Sequence, residues 1–249
     1  MDKVVLVTGA SRGIGAAIAV HAGRAGYRVA LNYNRSAGKA DAVAAMIHAD
    51  GGTVETLQAD MADPEAIKGL FAAVDARFGR LDVLVNNAGI IGPMAPVAEQ
   101  TADEMARLWA VNITAYFLAA GEAVKRMSTR AGGKGGVIVN VSSIATRTGG
   151  MAGMVPYAAS KGAVDAMTIG LAKELGPQGI RVVSLRPGLI DTEIHEIYGK
   201  GDQFQAAAAS VPGSARAGTA DEVADAAIWL MSDGAAYVSG TTLDVSSGR

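Results

Sequence analysis

The chain has 249 residues, half of them hydrophobic and 5% aromatic, with 32 glycines, no cysteine and a formal net charge of -2. That length suits one substantial α/β core, and the missing cysteines exclude a disulfide framework or a thiolate metal site. The near-neutral balance, with Lys and Arg scattered, offers no attraction for nucleic acid or an anionic membrane, and no apolar run reaches the roughly eighteen residues that span a bilayer.

Met1-Asp2-Lys3 leads into the apolar run Val4 to Val7, too short and wrongly flanked for a signal peptide, so a cytoplasmic protein is expected. The first expected strand, 3–8, runs directly into Gly9-Ala10-Ser11-Arg12-Gly13-Ile14-Gly15 and then a helix at 13–25. Glycines at a strand-to-helix turn let backbone N-H groups approach a pyrophosphate, and the helix N-terminus adds partial positive charge. Arg12 opposes that dipole, at a cost of about 0.3 to 1 kcal/mol, unless an anion sits beside it. The second strand, 28–33, ends at Tyr33-Asn34-Arg35-Ser36, with no acid where an NAD-type fold would hold the ribose 2′-OH. Arg35 and Ser36 are suited to a 2′-phosphate, so NADP(H) is the expected cofactor and NAD the second choice.

Further strands are expected at 53–58, 83–86, 136–141, 181–185 and 242–245, separated by Ala-rich amphipathic segments that include helices at 103–127 and 157–175. This alternation predicts a single-domain α/β chain, 1–249, with a Rossmann-type doubly wound parallel sheet of about seven strands and helices on both faces. Two stretches stand apart. Residues 131–136 read as a Gly-rich turn, while 188–218, with a short helix at 206–209, is too long for an ordinary connection and reads as a lid or binding loop. His21, His48 and His195 are too dispersed for a zinc site, so no metal is expected, and His195 reads as a solvent-facing loop residue.

Reduction of a carbonyl leaves an alkoxide, so a proton donor must stand within hydrogen-bond reach of that oxygen. Tyr157 fills the role, although an ordinary phenol titrates near 10, about 4 kcal/mol from ready exchange at neutral pH. Lys161 lies four residues on, hence on the same helix face. Its charge at about 4 Å contributes about 1 kcal/mol in water and about 4 at an effective dielectric near 20, so the pair requires a semi-enclosed site. Ser142 and Ser143 end the fifth strand at its carboxyl edge, where one hydroxyl could stabilise the developing charge.

Together these residues resemble the short-chain dehydrogenase/reductase family over essentially the whole chain. Thr8-Gly9, Gly13 and Gly15 are similar to its cofactor turn, Asn86-Asn87-Ala88-Gly89 to its fourth-strand motif, and Tyr157 with Lys161 to its YxxxK. The resemblance implies that Asp60, with Met61 beside it, touches adenine, and that Pro187, Gly188, Ile190 and Thr192 form the PGxxxT element whose Thr holds the carboxamide. It selects Ser143 over Ser142, and it makes Asn112 a fourth catalytic residue that holds a water leading to the Lys. Met94, Met151 and Met154 are candidate pocket residues.

The expected activity is hydride transfer between a nicotinamide and a small ketone or alcohol, with a 3-oxoacyl-thioester reductase, a sugar or polyol dehydrogenase and a non-catalytic dinucleotide-binding regulator as alternatives. The segment 188–218 carries Asp191, Glu193, Glu196 and Asp202 against Lys200 and Arg216, which disfavours an acidic carrier, whereas Lys125, Arg126, Arg130 and Lys134 offer a basic cluster. Ala-rich later helices and the apolar strand around Leu243 and Val245 point to a homo-oligomer, a tetramer or dimer.

Overall fold

Successive side chains of a strand point to opposite faces, and the first strand, β1 (Val4–Val7), divides its side chains in that way. Val5 and Val7 join a core with Ile18, Val43 and Val223, while Val4 and Leu6 join a second core with Phe71, Ala119 and Leu175. Both sides of this strand are therefore apolar because both are covered, as a parallel sheet requires. The computed structural model describes residues 3–193 and 201–249, and of residues 201, 202, 203 and 205 the backbone alone.

The other strands are β2 (Arg28–Tyr33), β3 (Thr53–Gln58), β4 (Val83–Asn86), β5 (Gly136–Val141), β6 (Ile180–Pro187) and β7 (Thr242–Val245). They form one parallel sheet in the order β3-β2-β1-β4-β5-β6-β7. The expected Rossmann-type sheet of seven strands is present. β6 runs beyond the expected 181–185 because Ile180 pairs with Gly136 and Pro187 with Val245.

Helices α1 (Gly13–Arg24), α2 (Ala37–Ala49) and α3 (Pro64–Phe78) follow the first three strands. After β4 come α4 (Ala102–Trp109) and α5 (Ala115–Met127), then α6 (Ala145–Thr148), α7 (Val155–Leu175), α8 (Gly201–Ala209) and α9 (Ala220–Met231). Residues of α1, α2 and α9 line the first core and residues of α3, α5 and α7 the second, so helices cover both faces. The continuous helix expected at 103–127 is corrected: a π turn, Ala110–Thr114, separates α4 from α5. Its cause lies in Asn112, whose carboxamide is bonded outside the helix. α7 begins two residues before Tyr157, with Pro156 in its first turn where a missing N-H costs nothing.

The order of the sheet reverses between β1 and β4, which opens a crevice at their carboxyl ends, where ligands bind in open α/β sheets. The two ends of the expected lid are pinned together, since Gly218 N-H donates to Leu189 O and Asp191 N-H to Gly218 O, both at 2.9 Å. Within it α8 extends the expected 206–209 helix toward the N-terminus. His195, Glu196 and Lys200 lie outside the described residues. Leu243 and Val245 pack against the first core, whereas Phe117 on α5 and Ile169 on α7 are about half exposed. Among the described residues no helix is long and apolar enough to cross a membrane.

Candidate active site

The glycine turn is held by neighbours on both sides. Gly9 has φ +64°, and a Cβ on it would come within 2.9 Å of Ala88 Cα. A Cβ on Gly15 would meet Asn87 Nδ2 and approach the Gly9 carbonyl oxygen to 2.7 Å, so neither position accepts a side chain. Thr8 Oγ1 accepts from the N-H groups of Asn87 (2.9 Å) and Ala88 (3.0 Å), while Asn87 Nδ2 donates to Thr8 O at 2.8 Å. The Asn86-Asn87-Ala88-Gly89 segment therefore braces the turn from β4. From the other side buried Asn32 accepts the Gly9 N-H at 3.1 Å, and its Nδ2 donates to Leu57 O and Ala59 O. Sequence reasoning missed Thr8 and Asn32 as braces. A polar residue inside an otherwise apolar strand was the available signal.

α1 starts without a capping side chain and without an acid in its first turn. Its first N-H groups are thus left for an anion from outside the helix. Beside them Arg12 Nη2 donates to Ser36 Oγ at 2.7 Å, which joins the glycine turn to the end of β2. Arg12 Nη1 also lies 3.8 Å from a Glu193 carboxylate oxygen, and the Lys39 ammonium pairs with the same carboxylate. Lys39 and Arg12 hold the Glu193 carboxyl below the usual carboxylate range, Lys39 through its hydrogen bond first. An anion thus occupies the cation cluster, supplied by the chain itself. Arg35 is exposed and has no partner among the described residues, and Asn34 contributes its carbonyl to Gln58 Nε2. At the end of β3, Asp60 Oδ1 accepts the Ala62 N-H at 2.9 Å beside buried Met61.

On the other side of the crevice α7 carries Tyr157 and Lys161 one turn apart. Lys161 is 3% exposed. Its Nζ donates to Val141 O at 2.8 Å and to Tyr116 Oη at 3.2 Å, and burial pulls its pKa down to about 7, with Asp165 opposing. Ser142 and Ser143, which follow the end of β5, have different partners. Ser142 Oγ donates to the Lys161 carbonyl at 3.2 Å, whereas Ser143 Oγ accepts from Ala145 N-H at 3.1 Å. Asn112 is wholly buried, with Oδ1 accepting from Ile90 N-H and Nδ2 donating to Ile90 O, both at 2.9 Å, and to Ser160 Oγ at 3.0 Å. Ser160 in turn donates to Tyr157 O at 2.7 Å. The carboxamide therefore ties the loop after β4 to the first turns of α7.

The later motif also reaches the crevice. A Cβ on Gly13 would lie 3.7 Å from Thr192, and Gly188 sits too close to Ser246 to bear a side chain. Pro187 and Ile190 are buried beneath them. Gly153, at φ +84°, brings its loop against Met94 and Ala95, so Met94 and the Met151–Met154 stretch come to one rim.

A family model described as short chain dehydrogenase matches residues 3–202. The chain is 45% identical over 246 residues to the Escherichia coli (strain K12) protein named "Uncharacterized oxidoreductase YgfF", covering 99% of each. It is 37% identical to Glucose 1-dehydrogenase 2 of Bacillus subtilis (strain 168), covering 99% of this chain and 94% of that protein. A short chain dehydrogenase from Burkholderia cenocepacia J2315, solved in complex with NADP, superposes with a TM-score of 0.90 at 37% identity, covering 100% of this chain and 98% of that one. The family match over residues 3–202 and the near full-length similarity in sequence and structure make this chain an oxidoreductase that belongs to the short-chain dehydrogenase/reductase family.

Proposed function

We propose that the chain is an NADP(H)-preferring enzyme that interconverts a small ketone and its alcohol, with Tyr157 as acid/base. The observation that carries this reading is the burial of the Lys161 ammonium one helical turn from Tyr157, in surroundings where its charge acts at low effective dielectric. The uncapped start of α1 and the Gly9/Gly15 cradle fit a dinucleotide pyrophosphate. The nicotinamide, when bound, supplies or accepts the hydride. Tyr157 gives its proton to the carbonyl oxygen during reduction and takes it back during oxidation. Lys161 favours the ionised phenol by charge, Ser143 donates to the substrate oxygen, and Asn112 keeps the Ile90 loop against α7.

The preference for NADP(H) rests on Arg12, Ser36 and Arg35, joined by Lys39, which the glycine-turn motif does not contain. The Glu193 carboxylate pairs with Arg12 and Lys39 as a 2′-phosphate would, and the Burkholderia relative was solved with NADP. The double change Arg12→Ala with Arg35→Ala is expected to weaken NADPH about thirtyfold, or roughly 2 kcal/mol for two partly exposed charge-assisted contacts. NADH affinity should stay nearly unchanged. Titration of both cofactors checks this, and a wild-type preference for NADH would overturn it.

The substrate is expected to be a small neutral or modestly polar ketone rather than a thioester on an acidic carrier. The basic cluster that could dock such a carrier is partly neutralised: Lys125 pairs with Glu122 at 2.6 Å, and Arg126 pairs with Asp75 at 2.6 Å and Glu122 at 2.8 Å. Turnover of ketones, carrier-linked thioesters and sugars should be compared at low and physiological salt with both cofactors. Small ketones should give the highest kcat/KM. A strong, salt-sensitive preference for the carrier-linked thioester would reverse the assignment, and preferred turnover of sugars would favour the activity named for the Bacillus relative.

A further inference from the structure

One buried tyrosine belongs to no motif of the chain. Tyr116, in the first turn of α5, is 1% exposed although it is among the largest side chains of the protein. Its hydroxyl donates to Val141 O at 3.2 Å and stands 3.2 Å from Lys161 Nζ. The same carbonyl accepts from Lys161 at 2.8 Å, so ammonium, phenol and carbonyl form a closed triangle. Nζ lies 5.1 Å from the centre of the Tyr116 ring, nearer the oxygen than the ring face, so the contact is a hydrogen bond more than a cation over a π face. Burial drives the Tyr116 pKa upward, with the nearby Tyr157 adding to the rise. The phenol thus stays neutral, and because its proton is committed to Val141 O, a lone pair is left for the ammonium.

We propose that Tyr116 is a positioning residue for the reaction: its buried hydroxyl accepts from the Lys161 ammonium and, with the Val141 carbonyl, fixes and stabilises that charge on the side of α7 that carries Tyr157. An ammonium has three N-H groups. Two are held by the triangle, and one remains for a group in the crevice beside Gly89, where an added Cβ would come within 3.5 Å of Nζ. Among the described residues no carboxylate pairs directly with Lys161. Among the described residues the charged and titratable groups that face it are Tyr116 from α5, and Tyr157 and Asp165 from α7. Asp165 is drawn off by Arg186 of β6, at 2.9 Å. The π turn and β5 add neutral groups among the described residues, Asn112 and Val141 O. The neutral hydroxyl is therefore a principal support of a charge that burial opposes.

This inference rests on the reading of Tyr157 and Lys161 as the reacting pair, and its test separates the two. Tyr116→Phe keeps the ring and removes the acceptor. With one support gone, the charged form of Lys161 loses ground to the neutral amine and its pKa must fall. The 13Cε resonance of Lys161, followed against pH in the cofactor-free protein, should titrate near 7 in the wild type and about one unit lower in the variant, a unit being a tenfold change in the equilibrium. In steady state the alkaline limb of kcat should move down by a similar amount, giving a roughly tenfold loss on that limb with little change in KM. If Tyr116 only fills space, Phe fills it equally well and neither curve moves, which overturns the proposal. The resonance needs no turnover. Should Tyr157→Phe remain active, the catalytic reading fails while the Lys161 titration still decides whether Tyr116 holds that charge.

Discussion

Tyr157→Phe is expected to lower kcat by about three orders of magnitude, within the range of 10² to 10⁴ that a positioned acid/base contributes, while cofactor affinity stays nearly unchanged. The variant removes one oxygen and keeps the ring, so α7 retains its packing, and Lys161 retains Val141 O and Tyr116 as partners. The glycine turn lies on β1 and α1 and is braced by Thr8, Asn32 and Asn87, none of which depends on the phenol. Binding and turnover should therefore separate. Cofactor titration by fluorescence and steady-state rates on the same preparation measure both quantities, and retention of most of the wild-type kcat would remove Tyr157 from the assigned role.

The strands were legible because burial on both faces demands unbroken apolar runs, and glycines or a change of period mark where each run ends. Val4 to Val7 and Val137 to Val139 show this directly. What escaped depends on contacts between distant segments. The π turn at Asn112 has no local cause, since an Asn in a helical pattern reads as a helix interior until Ile90, 22 residues earlier, claims both ends of its carboxamide. Tyr116 and Lys161 are 45 residues apart and meet only because α5 and α7 pack on the same side of the sheet. Lys39 and Glu193, separated by 154 residues, are joined only when the segment after β6 folds back over α2. Motifs written within one turn or one strand end were readable, including Tyr157 with Lys161 and Gly9 to Gly15, whereas the supports that hold them in register were not.

Those supports extend below the crevice. Asn86 Nδ2 donates to Asn140 Oδ1 at 3.0 Å, and Asn140 Nδ2 donates to Thr168 Oγ1 at 2.9 Å, a buried chain from β4 through β5 to α7. Such a chain is costly to leave half made, because an unpaired polar group in the interior loses its hydration without return. It thereby discourages sliding of α7 along the sheet, and with it any drift of Tyr157 relative to the serines at the end of β5.

Between those serines the geometry supports a choice, and Ser143→Ala should reduce kcat far more than Ser142→Ala. Ser142 is buried, and its hydroxyl gives its proton to the Lys161 carbonyl. Its removal costs one helix contact, about 1 kcal/mol of stability, and takes nothing from the substrate. Ser143 uses a lone pair to receive the Ala145 N-H, and its proton has no acceptor among the described residues. That proton is available to a substrate oxygen, and the accepted hydrogen bond fixes the oxygen from which it is offered. Donors aimed at a developing negative charge are worth about 10² to 10³ in rate, so Ser143→Ala should lose about a hundredfold in kcat. Ser142→Ala should change kcat by less than about threefold while lowering the melting temperature by a few degrees, as a loss near 1 kcal/mol does. Paired measurements of kcat and Tm on the two variants decide the matter, since a larger catalytic loss in Ser142→Ala would transfer the role to Ser142 and require its hydroxyl to leave the Lys161 carbonyl when substrate binds.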